Sequence, residues 1–253
     1  MKRIIVNADD FGWDQDTFAS TVDLIERGWV TSATIMTGLS FTSEAINYAV
    51  DMQKHVSFGL HFNMVDGHAS LAANHRSLVD RSGRFWASDR QRIAALFSRV
   101  DAADIARELR AQLKILADAG IAISHVDSHG HLHKFPSVAR AMASVLAEFG
   151  IAKMRRPQNL YARRALSDMI DGYCSRGFPK HLKTTDYYFA IDQRSPHWLE
   201  QLPAVIPQGV TEISVHPGQI DPSRRFEFHS FDAQEPADLK ALGVTLMNYN
   251  DLQ

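Results

Sequence analysis

Short apolar runs alternate with amphipathic helical stretches along this chain, and most of the runs end in residues that carry chemistry. That alternation is the signature of βα units, in which strands line up in parallel and helices pack over them. Strands are predicted at residues 3–6, 33–36, 56–61, 121–126, 152–155, 187–191, 212–215 and 244–248. Helices are predicted at 17–27, 43–52, 102–119 and 136–149, the last with Pro136 in its first turn and Gly150 at its end. The count of seven or eight strands points to an α/β chain folded as a (β/α) barrel, regular or irregular. A doubly wound open sheet is the runner-up, because residues 157–185 read poorly as a regular unit. Residues 64–100 form a long polar excursion of the kind that serves as a lid or binding loop. No repeat or linker interrupts the chain, so residues 1–253 are expected to form one domain.

The length of 253 residues suits one barrel, and the formal charge of -2 argues against an electrostatic grip on nucleic acid. A single cysteine, Cys174, leaves no intrachain disulfide and no cysteine-rich zinc cluster. The first residues lack the apolar region of a signal peptide, and no stretch is apolar enough to span a membrane. A cytoplasmic location and a small polar substrate are the expectations.

Five strand ends hold the candidate chemistry. The first is Asn7-Ala8-Asp9-Asp10-Phe11-Gly12. Adjacent residues of a regular strand face opposite ways, but where the strand breaks two carboxylates can converge, one to ligate a cation and one to take a proton. Asp10-Phe11-Gly12 also matches the kinase metal triplet, yet too little chain precedes it for the other kinase elements. The second is Gly59-Leu60-His61. The third is His125-Val126-Asp127-Ser128-His129-Gly130-His131-Leu132-His133, which holds four of the twelve histidines. Imidazoles with a nearby acid suit a zinc-like metal, and extended spacing would set His129, His131 and His133 on one side, so any of them could ligate. The fourth is Glu212-Ile213-Ser214-Val215-His216-Pro217-Gly218, where His216 could act as a general acid. Arg155-Arg156-Pro157 could hold an acid or touch substrate. In a barrel all these ends open on one face.

In this order the motifs resemble the YdjC-like carbohydrate deacetylases, which include chito-oligosaccharide deacetylases. The matching elements are Asn7 to Gly12, Val30-Thr31-Ser32 with Ala33-Thr34, Gly59-Leu60-His61, His125 to His133 with Phe135-Pro136, and Glu212 to Gly218. The resemblance implies a (β/α) barrel that removes acetyl from N-acetylated amino sugars. It implies one divalent metal ion, Mg or Zn, held by Asp10, His61 and His129. Asp9 would be the base and His216 the general acid or oxyanion partner. The family often has histidine where this chain has Gly130. Trp13, Phe85, Trp86 and Tyr161 are candidates for stacking on a sugar, and Arg156 for contacting it. Hydrolysis of another amide or ester, such as a lipid-linked amino sugar, and a non-catalytic sugar-binding barrel are the competing readings. A homodimer suits such a barrel, although no seam is visible in the sequence.

Overall fold

The computed structural model describes residues 1–70, 76–161, 172, 175–191 and 197–253. Cys174 and much of the stretch 157–185 lie outside the described residues. Seven parallel strands form one sheet: β1 (Lys2–Phe11), β2 (Ser32–Ile35), β3 (Ser57–Phe62), β4 (Val126–Ser128), β5 (Tyr187–Ala190), β6 (Gly209–Val215) and β7 (Val244–Leu246). The order is β4-β3-β2-β1-β6-β5. Residues 2–8 of β1 pair with β6 along one edge, while β7 and then β2 share the other. β1 is therefore the centre of the fold, and its apolar residues Ile4, Ile5, Val6 and Ala8 are buried.

The barrel expected from the sequence is open. Between β4 and β5 the arc is carried by isolated bridges (Val126 with Met154, Lys153 with Lys183, Leu160 with Phe189), so the predicted strand at 152–155 does not form as a ladder. Its polar residues are engaged elsewhere: Lys153 Nζ donates to Tyr249 O at 2.6 Å, and the Arg155 guanidinium turns into the protein. The predicted strand at 121–126 is also shorter than expected, since only Val126–Ser128 is regular. Residues 124 and 125 instead make single bonds to β3 through Ser124 N and His125 O. Gly59 allows that approach, because a Cβ there would lie 2.5 Å from His125 O.

The helices follow from capping and periodicity. Asp14 caps α1 (Gln15–Glu26) by accepting from Thr17 N at 2.8 Å. After α2 (Thr42–Met52), the polar excursion contains α3 (Ser88–Leu96), which sequence reading leaves as loop because its apolar residues do not fall on one face. Ile105, Leu109, Leu113 and Leu116 recur at helical spacing along α4 (Ala102–Asp118) and are buried. Burial of each such side chain contributes about 1.5–3 kcal/mol. The same helix clamps the turn after β3: Gln112 Nε2 donates to Asn63 O at 2.6 Å, and Asn63 N donates to Gln112 Oε1 at 3.0 Å. α5 (Pro136–Glu148), α6 (Trp198–Val205), α7 (Pro222–His229) and α8 (Pro236–Ala241) complete the layer. Among the described residues no helix is long and apolar enough to cross a membrane.

Candidate metal and hydrolytic site

The site grows from an irregularity in β1. Pairing with β2 shifts register between Ala8 and Phe11, and Asp10 adopts φ 61, the left-handed region that Asp tolerates better than most residues. Bulges of this kind re-aim side chains beside active sites. Here the result is that Asp9 and Asp10, both buried, serve one cluster from adjacent positions.

Asp10 Oδ1 lies 2.8 Å from His129 Nδ1 and 3.2 Å from His61 Nε2. Each imidazole has its other nitrogen on a carboxylate: His61 Nδ1 is 2.7 Å from Asp127 Oδ1, and His129 Nε2 is 2.9 Å from Asp66 Oδ2. Thr34 Oγ1 bridges His61 and Asp127, and Asn7 Nδ2 donates to both Thr34 and Asp9. One donor atom from each of Asp10, His61 and His129 falls within 4.8 Å of the others. Two imidazoles and a carboxylate, each ring turned by a carboxylate behind it, match the way divalent cations are held. Electrostatics agrees. Burial alone would lower the His61 pKa, but Asp127 and Asp10 raise it to about 10, a measure of the negative charge gathered there.

A second group of possible donors, Asp9, His61 and Asp127, is served by a guanidinium. Arg155, fully buried, donates from Nη2 to Asp9 Oδ1 at 2.6 Å and from Nη1 to Asp9 Oδ2 at 2.7 Å. It also reaches Asp127 Oδ2 and Glu212 Oε1, each at 2.7 Å. Burial alone would push the Asp9 carboxyl up, yet Arg155 holds it well below the usual range, so Asp9 is ionised throughout the working pH range.

His216, at the end of β6, places Nε2 3.7 Å from Asp9 Oδ2. Glu227 on α7 holds its other side, accepting from His216 N at 2.6 Å and lying 3.2 Å from Nδ1. Burial would lower the His216 pKa, but the Glu227 carboxylate raises it to about 9.

The three cluster histidines separate. Residues 129–134 form a 3-10 turn in place of extended chain, with φ 65 at Gly130 and 55 at His131. His129 therefore joins Asp10, while His131 turns to Tyr188 Oη at 3.4 Å and His133 Nδ1 to Ser128 Oγ at 2.8 Å. Trp13 is at the site, its ring centred 5.2 Å from that of His129. Trp86 is instead covered by Arg90, whose guanidinium carbon lies 3.4 Å from the ring centroid. Arg156 donates to the carbonyls of Thr185 and Asp186 and lines a separate cavity of about 240 Å³ with Phe178 and Lys180. Phe85 is core, and Tyr161 Oη donates to Gln158 O at 2.8 Å.

No sequence signal singles out Asp66, Arg224 or Glu227 for the site, while the expectation that the Arg155-Arg156 pair could hold an acid is met by Arg155 at Asp9. Arg155 had one available signal, its place at the end of a predicted strand like the other site residues. Asp66 and Arg224 had none, because a turn and a helix deliver them.

An open parallel sheet with a buried acid and histidine cluster at its strand ends defines an α/β protein whose Asp10, His61 and His129 donors are grouped compatibly with a divalent metal. The chain belongs to the YdjC-like protein family, whose model matches residues 3–246. It is 28% identical to a carbohydrate deacetylase of Brevibacillus brevis over 95% of this chain and 90% of that one. A carbohydrate deacetylase of Clostridium beijerinckii is 32% identical over 59% and 58% of the two chains. A solved structure from Enterococcus faecalis V583, provisionally named a cellobiose-phosphate cleavage protein, shares the fold with a TM-score of 0.78 at 23% identity, covering 99% of this chain and 98% of that one.

Proposed function

We propose that the protein is a metal-dependent carbohydrate deacetylase that removes acetyl from an N-acetylated amino sugar. The observation that carries this reading is the adjacency of the Asp10, His61 and His129 donors to Asp9 and His216. The carbohydrate deacetylases among its relatives supply the substrate class.

A divalent cation held by Asp10, His61 and His129 would polarise the acetyl oxygen and lower the pKa of water toward about 7. Asp9 accepts the proton as water oxygen attacks the acyl carbon. His216, held protonated by Glu227, faces the developing oxyanion and then donates its proton to the departing nitrogen. The C–N bond breaks, giving acetate and a free amine. Trp13, beside His129, offers a ring face to the sugar.

Acetate release from N-acetylglucosamine oligomers tests the reading. Activity should vanish on chelation and return with added Mn, Zn or Mg; turnover persisting in excess chelator would remove the metal from the reaction. The pH profile tests the acid. His216 is in its donating form below its pKa, so kcat/KM should hold to about 9 and fall above it. Glu227→Gln removes the charge that raises this pKa, so the alkaline limb should move to lower pH. An unmoved limb would assign the proton to another group.

A further inference from the structure

Arg224 stands where a cation would be least expected. Its Nη2 donates to Asp10 Oδ2 at 2.5 Å, on the carboxylate read here as a metal ligand. A guanidinium at that spot repels any cation bound nearby, and its own desolvation is costly. The chain nevertheless builds the contact with care. Arg224 lies in the first turn of α7, where Asp221 caps the helix and accepts from Arg224 N at 3.1 Å. Asp16 pins the loop before it by accepting from Gln219 N and Ile220 N. Gly218 makes room for the side chain, since a Cβ there would lie 2.9 Å from Arg224 Cβ and 3.1 Å from Cδ. The guanidinium carbon lies 5.7 Å from the Trp13 ring centroid, and Nη1 is buried without a hydrogen-bond partner among the described residues. Its hydrogen bonding at the site is thus to Asp10 Oδ2.

The consequence lies in which oxygen of Asp10 remains available. Oδ1 faces His61 and His129, while Oδ2 is occupied by Arg224. We propose that Arg224 is a positioning residue that confines Asp10 to one-oxygen ligation, giving up metal affinity to keep coordination positions open for water and the acetyl oxygen. Hydrolytic metal sites need such open positions, with three protein ligands in place. The idea rests on the metal reading above and predicts a sign that a merely structural arginine would not produce. Removing it should tighten metal binding and slow turnover together.

The experiment measures Mn and Zn affinity by competition with a chromogenic chelator for the wild type, Arg224→Met and Arg224→Lys, alongside kcat and KM at saturating metal. Arg224→Met should bind metal about tenfold tighter while kcat falls roughly 10–100-fold, the range seen for groups that orient metal ligands. KM should change little. Arg224→Lys retains the charge and should fall between. Weaker metal binding in Arg224→Met would overturn the proposal, because Arg224 would then be holding Asp10 in place for the metal. Unchanged affinity and kcat would overturn it as well. If Arg224→Met does not fold, the lysine variant carries the test, and wild-type affinity and kcat in that variant would overturn the proposal. A wild type that binds neither metal would fail one step earlier, at the metal reading itself, and take the proposal with it.

Discussion

Asp9→Asn should cut acetate release about 10²–10⁴-fold, the usual contribution of a positioned proton acceptor. That range corresponds to roughly 2.7–5.4 kcal/mol of lost transition-state stabilisation. An amide keeps the size and one acceptor oxygen of Asp9 but takes up no proton. The loss should fall on kcat with KM and metal affinity close to wild type, because Asp10, His61 and His129 are untouched. A stability cost of about 1–3 kcal/mol is expected too, since the new NH₂ meets donors from Arg155 or Asn7 where a carboxylate oxygen stood. Steady-state kinetics with metal titration separates the two effects. A folded Asp9→Asn that binds metal and keeps wild-type kcat would remove Asp9 as the base.

The strong lowering of the Asp9 pKa bears on this role. A carboxylate tied to a guanidinium by two hydrogen bonds is a poor base toward bulk water. In the proposed reaction a bound cation would acidify the water first, and proton acceptance by Asp9 would be coupled to attack. What Arg155 provides is a carboxylate that is always ionised and always aimed.

The βα alternation and the strand-end chemistry were legible in the sequence because period and polarity change together there. Asp9, Asp10, His61, His129 and His216 all come from predicted strand ends, and the parallel sheet brings them to one side. Closure of the barrel was not legible, since it depends on whether the residues near 153 and 183 pair as a ladder or as single bridges. A short apolar run looks the same in both cases. Nor was the choice among His129, His131 and His133, which the left-handed turn at Gly130 and His131 decides. The outer carboxylates were hidden for a different reason. Asp66 arrives through a turn in which Asn63 Oδ1 accepts from Asp66 N at 3.1 Å, and Glu227 arrives from a helix eleven residues past His216. Their roles depend on where those elements dock, which no local pattern records.

Arg155→Met should be the most damaging single change to stability, at about 3–5 kcal/mol near neutral pH. Methionine fills much of the same volume, so the cost comes from charge more than from a cavity. Asp9, Asp127 and Glu212 would be left buried around an apolar side chain, having lost the cation that now meets all three. The pH dependence should reverse with it. In the wild type the Asp9 pKa is depressed, so its stabilisation is present above the unfolded carboxylate pKa and is lost as pH falls through the acid range. Without Arg155, burial pushes the Asp9 and Glu212 carboxyls up, so each favours folding only while protonated and destabilises as pH rises. Glu212 already sits at about 7, raised by burial even with Arg155 and Tyr249 Oη bonded to it, and it would move higher. Urea melts from pH 5 to 8 should therefore show the gap between wild type and Arg155→Met widening with pH. A constant gap would mean that lost packing, and not the three uncompensated carboxylates, dominates the cost. Activity should disappear along with stability, because the guanidinium that keeps Asp9 ionised is the same one that holds β1 and β6 together at the site.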